Sequence, residues 1–363
     1  MQGSVNSDNP KVSIVCTTYN QEKYIAEALD SFIMQETNFP FEVIVGEDCS
    51  TDNTRKIVQD YVKKYPEIIK PIYQEKNTGG FKNLIDTMNA CRGEYFIINE
   101  GDDFFTDKHK LQVQVDYLDK NPNSSMCFHP VKVFFQDKSA KDYIFPTKRE
   151  FKITKGKFNY ETLKKVNFIQ TNSCMFRRDT IDCAELLPNN ILPGDYFINL
   201  YYSRKGEIGF INKVMSSYRR QAGGIWQSCY TDPDKHCLKY GLEKINLYYQ
   251  ASNRFIEDRD YWYNLANREY NKVLGIYLKL RAWDKVELAK KLFPELSEEN
   301  KYTDDIATNL LIKKSNHYKN LFNIFLPISI FLLLANILLI YLVFAHSKFN
   351  WIFFNISKSY IQF

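Results

Sequence analysis

The sequence contains no Cys-x-x-Cys pair, although eight cysteines are spread along its 363 residues. Cys16, Cys91, Cys127 and Cys174 lie in or beside apolar runs and read as buried thiols, which suits a reducing compartment. His236 and Cys237 have no metal partners at useful spacing. The amino-terminal stretch Met1 to Lys11 is polar and lacks the apolar run of a signal peptide, so the chain is expected to start in the cytoplasm. Charge of one sign is also scarce. The 48 basic and 43 acidic residues leave a net charge of +5, too mild a balance to argue for nucleic acid, whose binders concentrate basic charge in patches. What the chain does have is apolar material. At 44% hydrophobic and 15% aromatic it can build a sizeable core, and its length implies one large core plus an appendage.

The organising stretch is Tyr95-Phe96-Ile97-Ile98-Asn99-Glu100-Gly101-Asp102-Asp103-Phe104-Phe105. An apolar run of strand length delivers Glu100, Asp102 and Asp103 together and then stops. Carboxylates repel one another, so this grouping costs stability unless a cation or a donor network neutralises it. Magnesium is commonly held by one or two carboxylates plus substrate phosphates. An acidic turn closing a buried strand is the plainer alternative, and this stretch alone leaves both open.

The first half alternates strand and helix signals. Val12 to Cys16 is a β-rich run that ends in the polar turn Thr17-Thr18-Tyr19-Asn20. Ile25, Ala28, Leu29 and Phe32 recur at amphipathic-helix spacing. Phe41 to Val45 predicts a second strand, followed by Gly46-Glu47-Asp48-Cys49-Ser50-Thr51-Asp52. Ser50, Thr51 or Asp52 is placed to cap a helix carrying Ile57, Val58, Tyr61 and Val62. Ile68 to Tyr73 predicts a third strand, Asn77-Thr78-Gly79-Gly80 a turn, and Leu84 to Ala90 a third helix. Such alternation implies a mostly parallel sheet with helices on both faces. Ligands then bind at the carboxyl ends of the strands, where the turns at Thr17, Asp48 and Asp102 converge.

Val12 to Asn20 together with Gly46 to Asp52 resembles the opening of family 2 glycosyltransferases of the GT-A fold. Glu100-Gly101-Asp102-Asp103-Phe104-Phe105-Thr106-Asp107, followed by Lys110-Leu111-Gln112, resembles the acidic EGDD-type motif of a bacterial branch of that family. Gly194-Asp195-Tyr196-Phe197 and Tyr218-Arg219-Arg220-Gln221-Ala222-Gly223-Gly224-Ile225-Trp226 are similar to its two downstream motifs. The resemblance covers about Lys11 to Trp226, with the motifs in family order.

The resemblance implies roles residue by residue. Thr17 and Tyr19 match positions lining a nucleotide-base pocket, and Asp48 matches a carboxylate that accepts a hydrogen bond from the base, which would select uracil. An ordinary strand-end turn, and a helix cap for Asp48, are the alternatives. Asn77, Gly79 and Asn83 lie where the family's nucleotide-sugar loop runs, and Lys82 is placed to neutralise phosphate. Asp102 and Asp103 match the metal and sugar-nucleotide carboxylates, implying a divalent cation, Mn2+ or Mg2+. Asp195 matches the catalytic base; its alternative is a helix cap before Tyr196-Phe197-Ile198-Asn199-Leu200. Arg219 and Arg220 match groups that approach the phosphates, with a solvated basic loop as the alternative. Gln221 departs from the family, where many members carry a histidine, and glutamine is a poor metal ligand. The Gln-x-x-Arg-Trp pattern of processive relatives is absent, which favours adding one sugar per encounter.

Thr231 to Ser315 turns rich in Tyr, Asn, Lys and Glu. Leu238, Leu242, Ile245 and Tyr248 keep helical spacing there, as do Leu274, Ile276, Tyr277 and Leu280. Tyr261, Trp262 and Tyr263 read as core rather than as sugar-stacking rings. Leu321 to Phe344 is an uncharged, mostly apolar stretch long enough to span a bilayer as a helix, with an amphipathic or buried helix as the alternative. The expected organisation is a tail over 1–11, a GT-A catalytic domain over 12–228, a helical appendage over 229–318 and a membrane-associated segment over 319–363, with the candidate span at 321–344.

The expected function is inverting, hexosyltransferase-type transfer from a nucleotide-sugar donor, with UDP as the nucleotide, to a lipid-linked or surface-glycan acceptor. The expected place is the cytoplasmic face of the inner (plasma) membrane. Transfer to a protein or a polyol-phosphate polymer is the alternative within the class. A membrane-tethered, non-catalytic sugar-nucleotide-binding subunit is the alternative outside it. A nucleotidyltransferase ranks last, because its glycine-rich and basic amino-terminal phosphate loop is missing.

Overall fold

The computed structural model describes residues 10–178, 186–221, 229 and 231–299. The chain divides into two compact units, residues 1–299 and 300–363; the second, with the candidate span at 321–344, lies outside the described residues. Among the described residues no helix is long and apolar enough to cross a membrane.

Four strands expected from the sequence form the parallel heart of the molecule. They are β1 (Val12–Thr18), β2 (Phe41–Glu47), β3 (Ile69–Tyr73) and β4 (Tyr95–Glu100), ordered β4-β1-β2-β3. Register places Thr17 beside both Gly46 and Glu100, and Thr18 beside Glu47, so these strands end at one level. Side chains alternate across the sheet, as a two-residue period requires. Ile14, Cys16, Val43, Val45 and Ile97 pack with Leu29 and Phe32 of α1 (Ile25–Ile33). Val15, Ile44, Phe96 and Ile98 pack on the other face, with Ile85 and Met88 of α3 (Gly80–Asn89), which follows α2 (Thr54–Lys64). Burial on both faces explains why these strands read as continuous apolar runs.

The helix starts differ from expectation. α2 takes no side-chain cap from Asn53, its N-cap residue. Asp52 does meet the start of α2, its Oδ1 accepting the N–H of Thr54 at 2.9 Å, and Ser50, Thr51 and Asp52 also tie the loop after β2 to the loop after β1: Asn20 N–H donates to Ser50 Oγ, Thr51 N–H to Asn20 Oδ1, and Glu22 N–H to Asp52 Oδ2. α3 begins at Gly80, four residues before Leu84, because Gly79 adopts φ +85° and turns the chain directly into the helix.

The alternation does not continue to the end of the sheet. β5 (Phe104–Phe105) and α4 (Lys110–Lys120) precede β6 (Ser124–Phe128), β7 (Val131–Phe135) and β8 (Tyr143–Phe145). Two short helices follow, α5 (Lys148–Thr154) and α6 (Tyr160–Leu163), and then β9 (Met175–Arg177), α7 (Gly194–Lys205), β10 (Glu207–Phe210) and β11 (Ser216–Arg220). β9 inserts antiparallel between β4 and β6, completing a seven-stranded sheet of order β10-β6-β9-β4-β1-β2-β3. A second sheet, β5-β11-β7-β8, was not foreseen. Its two-residue β5 is too short to register as a strand in the sequence, and it holds the acidic turn against β11.

The carboxyl-terminal helices are α8 (Pro233–Arg254), α9 (Arg259–Lys279), α10 (Trp283–Leu292) and α11 (Pro294–Glu299). α8 and α9 approach closely at Gly241, where an added Cβ would meet Tyr277 Oη and Val273 at 2.8 Å. Trp262 is fully buried in the cluster that also holds Phe197 and Phe255, and it donates its indole N–H to Tyr160 Oη at 3.1 Å. The helices are thereby packed onto the sheet-bearing part of the same unit.

Candidate active site

The turn after β4 is built by its own backbone and by Asn99. Asp103 N–H donates to the Glu100 carbonyl at 3.0 Å, and Asn99 Nδ2 donates to the Glu100 and Asp103 carbonyls. Gly101 N–H donates to the Thr17 carbonyl, joining this turn to the end of β1.

The three carboxylates of the turn go to different places. Asp103 is only 2% exposed. Its Oδ1 accepts the backbone N–H of Arg219 at 2.8 Å and its Oδ2 accepts Asn172 Nδ2 at 3.0 Å. Burial, followed by the charges of Asp102 and Glu100, pushes its carboxyl well above the usual range. The expected metal role for Asp103 is therefore corrected: it is a wall residue that bolts the acidic turn to β11. Asp102 is half-buried, and burial raises it too, opposed by hydrogen bonding from Gln221. Its Oδ2 accepts Gln221 Nε2 at 2.7 Å, whereas its Oδ1 is buried with no hydrogen-bond partner. Glu100 opens onto the crevice yet sits deep in protein mass. That desolvation, then the charges of Asp102 and Asp195, pushes it up to about 8.

Among the described residues no three His, Cys, Asp or Glu side chains form a metal cage. The orphaned Oδ1 of Asp102 nevertheless fits a hard cation that takes one or two carboxylates and completes its shell from substrate phosphate.

Arg219 is also corrected. It is 6% exposed, and its Nε donates to the Asp102 carbonyl while its two terminal nitrogens reach Gln136 and Glu27. The guanidinium lies 4.7 Å from the Tyr24 ring centroid and 4.8 Å from that of Phe134. With each of its three nitrogens bonded inside the protein, it serves as a structural cross-brace. Arg220, next in β11, points to the opposite face, half-buried 5.7 Å from the Tyr218 ring. The Tyr218 hydroxyl, on the same face as Arg220, is raised by burial and then by the Glu100 charge.

Asp195 occupies the first turn of α7, whose N-cap residue is Pro193, with no capping side chain. Its Oδ2 accepts Thr171 Oγ1 at 2.5 Å. Burial raises its carboxyl, opposed by Thr171 and by the Tyr196 N–H. Its charge in turn raises Glu100.

The loops after β1 and β2 complete the rim. Tyr19 is 43% exposed and Thr17 is half-buried at the end of β1. Asp48 is buried and holds the next loop: it accepts Thr78 N–H at 2.7 Å, Thr78 Oγ1 at 2.8 Å and Gly79 N–H at 2.9 Å. Asn77 is exposed, and its Nδ2 reaches the Asp48 carbonyl. Two residues expected to contact ligand have protein partners here. Asn83 is 1% exposed and donates inward to the Gly46 carbonyl at 2.8 Å. Lys82 pairs with Asp86 one helical turn away at 2.8 Å.

Sequence reasoning missed Thr171, Asn172, Gln136 and Glu27. Nothing local marks them, since each matters through a partner at least 24 residues away.

Residues 13–183 match the family described as Glycosyl transferase family 2. The uncharacterized protein Rv1520 of Mycobacterium tuberculosis is 43% identical over 227 residues, 62% of this chain and 63% of that protein. The chain thus spans less than two thirds of that relative's length. Staphylococcus aureus TarS, a poly(ribitol-phosphate) beta-N-acetylglucosaminyltransferase, is 36% identical over 115 residues, 31% of this chain and 19% of TarS. The putative teichuronic acid biosynthesis glycosyltransferase TuaG of Bacillus subtilis is 32% identical over 109 residues, 30% of this chain and 42% of TuaG. In three dimensions the chain resembles TarS crystallised with UDP-GlcNAc, with a TM-score of 0.52 and 19% identity over 74% of this chain and 73% of that one. That likeness concerns the fold, a GT-A-like mixed sheet with flanking helices.

Proposed function

We propose, since residues 13–183 belong to glycosyl transferase family 2, that this chain transfers a sugar from a nucleotide-sugar donor to a hydroxyl of a cell-envelope glycan or its lipid-linked precursor, with inversion. The observation that carries this reading is the crevice itself. Glu100 and Asp102 lie at the carboxyl end of parallel strand β4, where α/β sheets take ligands, and Asp195 at the start of α7 is near enough for its charge to raise Glu100. The EGDD-type motif and the TarS likeness support UDP as the nucleotide.

Asp102 would hold a divalent cation, Mn2+ or Mg2+, which when bound supplies charge compensation for the departing nucleoside diphosphate. Tyr19 offers an exposed ring for the base at the end of β1, and Arg220 a positive charge on the acidic side. Asp195 takes the proton of the acceptor hydroxyl as that oxygen attacks the anomeric carbon and the diphosphate leaves. Its raised carboxyl serves this role, because a base is most effective when its pKa approaches the working pH. One direct displacement inverts the anomeric centre.

The uncharged stretch at 321–344 supports a membrane-proximal acceptor and a place on the cytoplasmic face of the plasma membrane. A polyol-phosphate acceptor is the second reading, and the match to TarS favours it.

The test is a calorimetric panel of nucleoside diphosphates and nucleotide sugars with Mn2+, Mg2+ or chelator. Cation-dependent binding of one UDP-sugar is the expected result. Failure of the folded protein in detergent to bind any nucleotide would remove the donor site and promote a non-catalytic, membrane-tethered subunit.

A further inference from the structure

Thr171, Asn172 and Ser173 form one 3-10 turn, and each makes a different connection. Asn172 is fully buried; it donates Nδ2 to Asp103 Oδ2 at 3.0 Å and to the Ser217 carbonyl at 2.8 Å, and its Oδ1 accepts from Ser216 Oγ at 3.1 Å. The Ser173 carbonyl accepts Gln114 Nε2 from α4 at 2.9 Å. The turn is thus bolted to the acidic turn, to β11 and to α4. Thr171 is the member of the turn whose side chain reaches Asp195.

Asp195 needs such a contact. The backbone of α7 is fixed by buried Phe197, Ile198 and Leu200 and by the Tyr196 hydroxyl on the Leu163 carbonyl at 2.9 Å. Packing of the backbone does not fix a carboxylate, because the terminal torsion of aspartate is broad. Thr171 limits that freedom by taking Oδ2, alongside the backbone N–H groups of Asp195 and Tyr196.

We infer that Thr171 is a positioning residue for Asp195, its hydroxyl engaging Oδ2 so that the carboxylate faces the acceptor hydroxyl. The inference rests on the transfer reading above. It makes the 3-10 turn a strut of fixed length: Asn172 sets one end on the wall of the acidic turn, and Thr171 sets the other on the base. Sugar donor and base are then held in register by adjacent residues.

Three full-length proteins test this: native, Thr171→Val, which keeps shape but lacks the donor, and Thr171→Ser, which restores it. The valine variant is expected to lose about 10-fold or more in kcat, as small misplacements of a reacting group do, with donor affinity within about 2-fold of native. The serine variant is expected to recover most of the loss. An unchanged kcat, a matching loss of donor affinity, or no rescue by serine overturns the inference while the transfer reading stands. Crystal structures of the three proteins decide the point independently of turnover. A carboxylate that rotates in Thr171→Val and returns in Thr171→Ser supports the inference, and an unmoved Asp195 overturns it. If native protein transfers no sugar from any donor, the transfer reading fails, and the structures still show whether Thr171 orients Asp195.

Discussion

Gln221 donates through Nε2 to Oδ2 of Asp102 at 2.7 Å, leaving Oδ1 of the same carboxylate buried without a partner. The residue that departs from the family pattern is therefore not idle. It orients the carboxylate best placed for a cation, as a partner outside the coordination shell does. Gln221→Leu is expected to weaken Mn2+ affinity in the presence of UDP by about 10-fold, within the range seen when such supporting hydrogen bonds are lost. Calorimetric titration of the cation checks this, and an unchanged affinity places the cation elsewhere than Asp102.

Asp102 and Asp103 are adjacent in sequence and opposite in consequence. Asp103→Ala leaves the Arg219 N–H and one N–H of Asn172 Nδ2 without an acceptor inside the protein. Its expected cost is about 2–4 kcal/mol of stability, since a buried unsatisfied donor costs about 1–3 kcal/mol. Asp102→Ala is expected to lose cation-dependent nucleotide binding with a much smaller stability change. Parallel denaturant unfolding and nucleotide titrations separate the two. Equal stability losses would contradict the division between wall and crevice.

Asp195→Asn keeps the shape of the side chain and removes its capacity to take a proton. Transfer is expected to slow by at least ~100-fold with donor binding retained, the usual scale for a general base. Single-turnover rates with a bound UDP-sugar measure this. Near-native rates would leave Asp195 as a helix-terminal residue only.

Lys110 is fully buried, 4.5 Å from the Phe105 ring centroid, and donates to Gln114 Oε1. Burial lowers its ammonium to about 7, from 10.5. Between those values the unfolded chain binds the proton and the folded protein does not, so stability rises with pH through that window and the penalty is greatest below 7. From pH 7.5 to 9.5 the gain is on the order of 2 kcal/mol. Lys110→Met is expected to lack that increment. Denaturant midpoints of the two proteins at both pH values provide the check, and parallel pH profiles would show that Lys110 stays charged inside.

The elements that the sequence announced are those whose signals are local. β1, β2 and β4 are apolar runs buried on both faces, and α1 shows its stripe at Ile25, Ala28, Leu29 and Phe32, all of them buried. Polar turns at Thr17, Asp48 and Asp102 necessarily follow such strands, and a parallel sheet brings them to one edge. The common level of these strand ends was thus legible in the sequence. The roles of residues within each motif were not. Asp102 and Asp103 carry the same carboxylate, and Arg219 and Arg220 the same guanidinium, so composition cannot rank them.

Tertiary structure made those choices. A two-residue strand, Phe104–Phe105, pairs with β11 and turns Asp103 and Arg219 into the wall, where burial forces each to find partners. Alternation along β11 leaves Arg220 on the other face. Asp48 and Asn83 were drawn inward in the same way, to hold a loop and a strand carbonyl. The sequence by itself determined the sheet, its amphipathic helices and the edge at which carboxylates collect, because hydrophobic periodicity is a property of neighbours along the chain. Which carboxylate meets solvent, and which partner orients it, was decided only when segments far apart in the chain were packed and every buried polar group had to be satisfied.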